Sequence, residues 1–340
     1  MQSPSHTLGE FALIERFFKT RSETMLASTK SIVILGIGDD CALLVPKPNE
    51  ELAITSDMLV EGRHFFAGAK AQWLGHKALA VNLSDLAAMG AKPIGFTLAL
   101  ALPTADPRWL EAFSNGLFAL ANTYSCPLIG GDTTAGPLNI CITAFGALPM
   151  GKAIRRSGAM AGDDIWVSGT VGDARLALAA LRHEINLPPT DLELIENRLH
   201  QPVPRVELGI AIRGIATAAL DISDGLLGDL KHLLESSHKD AEVFVDRIPK
   251  SVILQKMKVP LQTQFAACGG DDYELCFTAP SSQRIAINNI GQALKLSLTQ
   301  IGSIKPMQNN LATISLMTSD GQDLDANTTA ALLKSFDHFA

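Results

Sequence analysis

Residues 71–89, AQWLGHKALAVNLSDLAAM, run into Gly90, Pro93 and the apolar stretch GFTLALAL at 95–102. Leu74, Ala78 and Val81 recur at helical spacing, which predicts a long helix over 71–89. Gly90 suits the left-handed position just past a helix end, and Pro93 forbids continuation. The following run is short and apolar throughout, so it reads as a buried strand. Asp106-Pro107 then supplies an N-cap and a first-turn proline for a second helix reaching to about Tyr124.

The same alternation recurs along the chain. SIVIL (31–35), CALLV (41–45), ELAIT (51–55), CPLIGGD and NICITAFGAL (139–148) read as strands. Leu8, Phe11, Ile14 and Phe18 predict an opening helix over 8–19. PMGKAIRRSGAMAGD, near 149–162, has no period and marks a boundary. Beyond it come the strand DIWVSG, helices over DARLALAALR and PRVELGIAIRGIA, and the strand AALDIS feeding DGLLGDLKHLLESS. YELCFTA (273–279) is a further strand, followed by a helix near 281–296. Alternating helices and strands in both halves indicate two α/β-type domains, 1–150 and 151–340.

Composition excludes several classes. A formal net charge of −7, with no long Lys/Arg run, lacks the footprint of a nucleic-acid or anionic-membrane binder. No run of about 18 apolar residues appears, so nothing is expected to span a membrane. MQSPSHTLGEFALIERFF has no basic n-region and is not expected to act as a signal peptide. Cys41, Cys126, Cys141, Cys268 and Cys276 form no C-x-x-C pair and read as buried, reduced thiols of a cytoplasmic protein.

Aspartates gather with Gly or Ser at the ends of the expected strands and helices. They are Asp39-Asp40 in GIGDDCALL, Asp57 in TSD, Asp85 in LSD, Asp132 in GGD, Asp221 and Asp224 in DISD, and Asp271-Asp272 in GGDD. Ligands of α/β sheets bind at strand ends, and carboxylates are hard donors suited to Mg²⁺. Any one of these residues could be an ordinary cap or turn aspartate. Six clusters of one kind point instead to a metal site. Adjacent strand residues face opposite ways, so one of Asp39 and Asp40 is expected to serve it.

Asp85 falls close to the stripe of Leu74, Ala78 and Val81, where a charge is costly unless paired or metal-bound. Alternatively, the helix ends earlier and Asp85 meets solvent. Asn82 lies one turn back. Arg155-Arg156 is either solvated surface or a phosphate clamp. His64, in EGRHFF, is either packed or a ligand contact. SGTVGDARLAL (168–178) has no G-K-[ST], and a plain strand-to-helix turn explains it as well as a phosphate loop does. Carboxylates repel a bare polyphosphate, whereas Mg²⁺ bridges the two, so a nucleotide with magnesium is the expected ligand.

GEFALIERFF, GIGDDCALL, ITSDMLVEGRHF, KALAVNLSDLAAMGAKP, IGGDTTAGP, RSGAMAGD, DISDGLLGDL, GGDDYELCF and the terminal FDHF together resemble the bacterial thiamine-monophosphate kinases, from about residue 9 onward. That family shares a superfamily with aminoimidazole ribonucleotide synthetase and selenophosphate synthetase. The resemblance implies an N-terminal α+β domain with a mixed sheet, dimerising through that sheet, and a C-terminal α/β domain. It implies a homodimer phosphorylating thiamine monophosphate with ATP and several Mg²⁺ ions, with room for a monovalent cation.

By resemblance, metal ligands fall on Asp40, Thr55, Ser56, Asp57, Asp85, Asp132, Asp221 and Asp224. Gly131, Asp132, Arg156 and Ser223 fall at ATP. His64, Asp271 and either Phe336 or Phe339 fall at the thiamine end. Asp85, Asp132, Arg156 and Asp221 would carry catalysis. The family's usual Gly-Gly-Glu-Asp is Gly-Gly-Asp-Asp here, so Asp271 is one methylene shorter. Selenophosphate synthesis is disfavoured, because no cysteine precedes the Asp39-Asp40 pair. A Mg²⁺-dependent phosphohydrolase and a non-catalytic nucleotide binder remain as alternatives.

Overall fold

A computed structural model describes residues 9–28 and 32–333. The chain divides into two compact units. The first comprises Met1–Leu86 and Ala91–Gly151, the second Ala87–Gly90 and Lys152–Ala340.

The first unit opens with helical residues from Glu10 to Ser28. These are α1 (Glu10–Ile14) and α2 (Thr20–Ser28), joined by a π turn over Glu15–Lys19. The expected stripe is corrected here. Phe11 is exposed, while Leu13, Phe17, Phe18 and Met25 are buried. The wider π turn lets the adjacent Phe17 and Phe18 both face inward.

A small hairpin follows, β1 (Val33–Leu35) with β2 (Leu43–Leu44), antiparallel. Asp39 and Asp40 lie in its connecting turn rather than on a strand, so alternation does not choose between them; both are exposed. Cys41 shares that turn and is exposed, against the expectation of burial, because the turn contributes nothing to the core.

The main sheet of this unit holds β3 (Glu50–Val60), β4 (Lys92–Leu102), β5 (Leu128–Ala135) and β6 (Asn139–Pro149) in the order β3-β6-β4-β5. Only β4–β5 is parallel. Two helices belong to the same unit, α3 (Ala71–Ala88), apart from its last two residues, and α4 (Pro107–Thr123). They cross where neither carries a side chain. A Cβ on Gly75 would lie 2.0 Å from the Phe113 carbonyl oxygen, and one on Gly116 1.9 Å from that of Gln72. Leu79, Leu83, Leu86, Phe96, Leu100, Leu110, Phe113, Leu117, Ile140 and Ile142 fill the core.

α3 ends as its punctuation predicts. Gly90 has φ +69, and Ala91 N–H donates to the Leu86 carbonyl at 2.8 Å in a Schellman turn. The expected single apolar stripe is too narrow, however. Ala78, Leu79, Ala80, Val81, Asn82, Leu83 and Ser84 are all buried, so the helix is enclosed on every side.

The second unit carries β7 (Asp163–Ser168), β8 (Ala218–Asp221), β9 (Lys239–Phe244), β10 (Leu275–Pro280), β11 (Leu298–Pro306) and β12 (Ile314–Met317). Their order is β12-β9-β11-β7-β10-β8, antiparallel except for β12–β9. Its helices are α5 (Asp173–Leu181), α6 (Pro189–His200), α7 (Val206–Ala211), α8 (Leu226–Ser237), α9 (Val259–Cys268), α10 (Arg284–Leu294) and α11 (Ala326–Leu332). Val167, Leu220, Leu230, Val243, Phe265, Cys276 and Ile301 are among the residues of one continuous core. Both units are thus α+β in pairing, although helices and strands alternate along the chain.

Candidate active site

In the first unit, β3 and α3 bring three oxygen donors together. The Thr55 hydroxyl donates to Asp85 Oδ2. Asp57, two residues along the same face of β3, neighbours Asp85. Burial first, then the Asp85 charge and their shared hydrogen bond, push the Asp57 carboxyl up to about 7. Two half-buried, mutually repelling carboxylates with a hydroxyl beside them are a donor set suited to a hard divalent cation. Among the described residues, no group of three or more His, Cys, Asp and Glu side chains is assembled to hold a metal.

Sheet register separates the remaining first-unit candidates. Asp57 pairs with Ile142, which pairs with Leu98, a row of buried neighbours. Asp132 pairs with Ala99, in the row of Cys141 and Met58, on the exposed face. Ser56 shares that exposed face, its hydroxyl 3.0 Å from the Thr143 hydroxyl. A single ion therefore cannot take the side chains of Ser56, Asp57 and Asp132 together from these positions. Gly131 has φ +146, and a Cβ there would lie 1.9 Å from the Leu98 carbonyl oxygen.

His64 closes the turn after β3. Its Nδ1 accepts from the Val60 N–H at 3.0 Å, so in the neutral ring the proton is on Nε2.

The second unit joins two loops that are distant in sequence. β8 and β10 are antiparallel with Asp221 opposite Leu275, so the chain leaves β8 where it enters β10. The pairing then continues past both strands. Tyr273 N–H donates to the Ile222 carbonyl and Asp271 N–H to that of Ser223, both at 2.8 Å. Ser223, Asp224 and Asp271 are thereby brought side by side, with Asp221 buried at the strand end. Asp271 holds φ +65, and its Oδ1 lies 3.3 Å from the Tyr273 hydroxyl. Arg156 is exposed on a short turn whose carbonyl accepts from Ser237 Oγ at 2.6 Å. Phe336 and Phe339 lie outside the described residues.

Sequence reasoning missed what braces these loops. Glu274, fully buried, accepts from Ser168 Oγ at 2.6 Å, Arg198 at 2.7 Å and Arg205 Nε at 2.6 Å. Both Asp272 oxygens accept the Gly172 N–H at 2.9 Å, and burial pushes the Asp272 carboxyl well above its usual range. The Gly-containing turn before α5 therefore offers that N–H to Asp272 rather than to a phosphate. Asp229, on α8, is also buried; its motif DGLLGD carries an acidic residue in the first helical turn, the one local hint of its role.

Comparison with known proteins bears on the family. Residues 38–148 match the family described as AIR synthase related protein, N-terminal domain. The thiamine-monophosphate kinase of Salmonella typhimurium (strain LT2) is 45% identical over 336 residues, 98% of each chain. That of Escherichia coli (strain K12) is 43% identical over 334 residues, again 98% of each. Among solved structures, the thiamine-monophosphate kinase of Stenotrophomonas maltophilia K279a is 45% identical with a TM-score of 0.83, covering 94% of this chain and 98% of its own. AaThiL complexed with AMPPCP and TMP is 29% identical with a TM-score of 0.73, covering 98% and 97%. Hydrogenase maturation protein HypE in complex with ATP, at 18% identity and a TM-score of 0.71, shares the fold alone. Agreement of this kind along nearly the whole length, with relatives of one description, has one reading: the chain belongs to the thiamine-monophosphate kinase family.

Proposed function

We propose that this protein transfers the γ-phosphoryl group of ATP to thiamine monophosphate, giving thiamine diphosphate and ADP. The observation that carries the reading is the half-buried Asp57–Asp85 pair with Thr55, in a chain matched over 98% of its length by a kinase of this description. A phosphate oxygen of thiamine monophosphate attacks the γ-phosphorus in line, and the bond to the ADP oxygen breaks. The acceptor oxygen is already anionic near neutral pH, since its second pKa is about 6, so no side chain need act as base.

Bound Mg²⁺ would supply charge neutralisation at the phosphate oxygens. In the first unit, Asp57, Asp85 and Thr55 would hold one ion. Asp132 and Ser56, on the other sheet face, and Asp40, in the hairpin turn, would serve others. In the second unit Asp221 and Asp224 would do so, beside Ser223 at the nucleotide. Arg156, exposed on its short turn, would clamp a phosphate in bidentate fashion. Gly131 allows close backbone approach to the nucleotide. His64, Asp271 and a terminal phenylalanine, Phe336 or Phe339, would orient the acceptor. Positioning and charge neutralisation supply the rate.

We also infer a cytoplasmic homodimer. Leu52, Ile54 and Met58 are exposed at 41%, 62% and 52% on one face of the edge strand β3, an apolar strip that a second copy would cover.

Incubation with ATP, Mg²⁺ and thiamine monophosphate, followed by product identification, tests the reading. Thiamine diphosphate and ADP in equal amounts are expected. Phosphate released without acceptor would make the protein a hydrolase, and Mg-ATP binding without turnover would make it a nucleotide binder.

A further inference from the structure

One buried carboxylate near these loops has no part in the proposed chemistry. Asp229 lies in the first turn of α8, and its side chain reaches back across the helix start. There Oδ2 accepts three successive backbone N–H groups, from Ser223 at 3.0 Å and from Asp224 and Gly225 at 3.1 Å each. The residue is only 7% exposed. Its own N–H donates to the Gly225 carbonyl at 2.9 Å, so loop and helix are tied in both directions.

Three consecutive N–H groups converge on one atom only where the chain curls around it. Gly225 permits the curl: it has φ +123, and a Cβ there would lie 2.8 Å from the Cys268 carbonyl oxygen. The loop's other side is held by Asp271 N–H on the Ser223 carbonyl. Ser223 and Asp224 are therefore fixed through their backbones, from two sides, with their side chains left for other work. A full negative charge suits three donors on one oxygen better than an amide oxygen does.

We propose that Asp229 is a positioning residue that presents Ser223 and Asp224 to the Mg-nucleotide. The inference rests on the kinase reading for its role in turnover. It acts through the Ser223–Gly225 backbone, without touching substrate, so its effect falls on the nucleotide rather than on the acceptor.

Calorimetric titration with Mg²⁺ and the non-hydrolysable analogue AMPPCP measures this without turnover. Asp229→Ala should weaken Mg-AMPPCP binding at least about tenfold and raise the ATP KM alike, while the thiamine monophosphate KM stays within about threefold. Asp229→Asn keeps the shape but loses the charge, and should fall between Asp229→Ala and wild type. If Asp229→Ala does not fold, Asp229→Asn is read by the same criterion, with nucleotide affinity reduced and acceptor KM preserved. A merely structural residue would lower the melting temperature and leave the affinity of the folded protein unchanged. Mg-AMPPCP affinity within about threefold of wild type in both variants, or equal losses for nucleotide and acceptor, overturns the proposal. Wild type that binds Mg-AMPPCP but forms no thiamine diphosphate removes the kinase reading and leaves the binding comparison to decide Asp229. Wild type that binds no Mg-nucleotide overturns both.

Discussion

Asp85 sits on a helix whose neighbouring residues are buried, beside Thr55 and Asp57. Both carboxylates are half-buried, so without metal they repel each other with weaker solvent screening than an exposed pair has. Asp85→Asn keeps the shape and removes one charge, so the metal-free protein should melt at least as high as wild type. The same variant should lose the extra stabilisation that Mg-ATP gives wild type by mass action. Its kcat/KM should fall at least about 100-fold, roughly 2.7 kcal/mol. Melts with and without Mg-ATP and steady-state rates check this; a kcat/KM within about threefold of wild type would remove Asp85 from the site. Asp271 invites a different comparison. Its φ of +65 and its tie to the Ser223 carbonyl fix the backbone, leaving side-chain length as the variable. Asp271→Glu restores the residue that the family resemblance implies and should be tolerated. Asp271→Ala should raise the KM for thiamine monophosphate more than that for ATP. Initial rates with each substrate varied in turn decide it, and a change confined to the ATP KM would move Asp271 to the nucleotide end.

At the scale of elements, Asp106 shows what local chemistry specifies. Its carboxylate accepts the Arg108 N–H at 2.9 Å, with Pro107 opening α4. Asp106→Ala should cost about 1 kcal/mol, read as a lower denaturant midpoint with an unchanged slope. α4 and the α3–β4 corner are legible in the sequence for the same reason: a cap, a left-handed glycine and a proline act within a few residues. The Ser-Asp and Gly-Asp clusters are legible as motifs but not in their placing: Asp57 and Asp132 fall within β3 and β5, and Asp85 within α3, rather than at the ends expected of them. What decides the site's shape is not local. The β8–β10 pairing aligns residues more than 50 apart, and Glu274 meets Arg198 and Arg205 across 76 and 69 positions. No periodicity records such contacts. The face that Asp132 occupies follows from register, which spacing along one strand cannot supply. The hairpin carrying Asp39 and Asp40 contains strands of only three and two residues, too short for alternation to choose between the aspartates.

For the whole molecule, pH and metal should act in opposite directions. Burial raises the Asp57 carboxyl to about 7 and the Asp229 carboxyl to about 6, and it raises Asp173 and Asp272 as well. In the unfolded chain an aspartate releases its proton near 3.9. Between about pH 4 and pH 7 the folded protein therefore binds more protons than the unfolded one, and stability falls as pH rises through that window. Asp240, Asp246 and Asp325 are shifted the other way, so the stability they add is lost only as pH falls below about 4. In EDTA, the melting temperature should therefore be lower at pH 7.5 than at pH 5, both taken as approximate working values. Mg²⁺ needs the deprotonated carboxylates, so the stabilisation it gives with ATP should grow over the same interval. Turnover should vanish in EDTA and return with excess Mg²⁺. Melting curves at the two pH values, with EDTA and with Mg-ATP, separate the proton effect from the metal effect. A metal-free protein more stable at the higher pH would mean that these carboxyls are ionised in the fold, and full activity in EDTA would remove the metal from the mechanism.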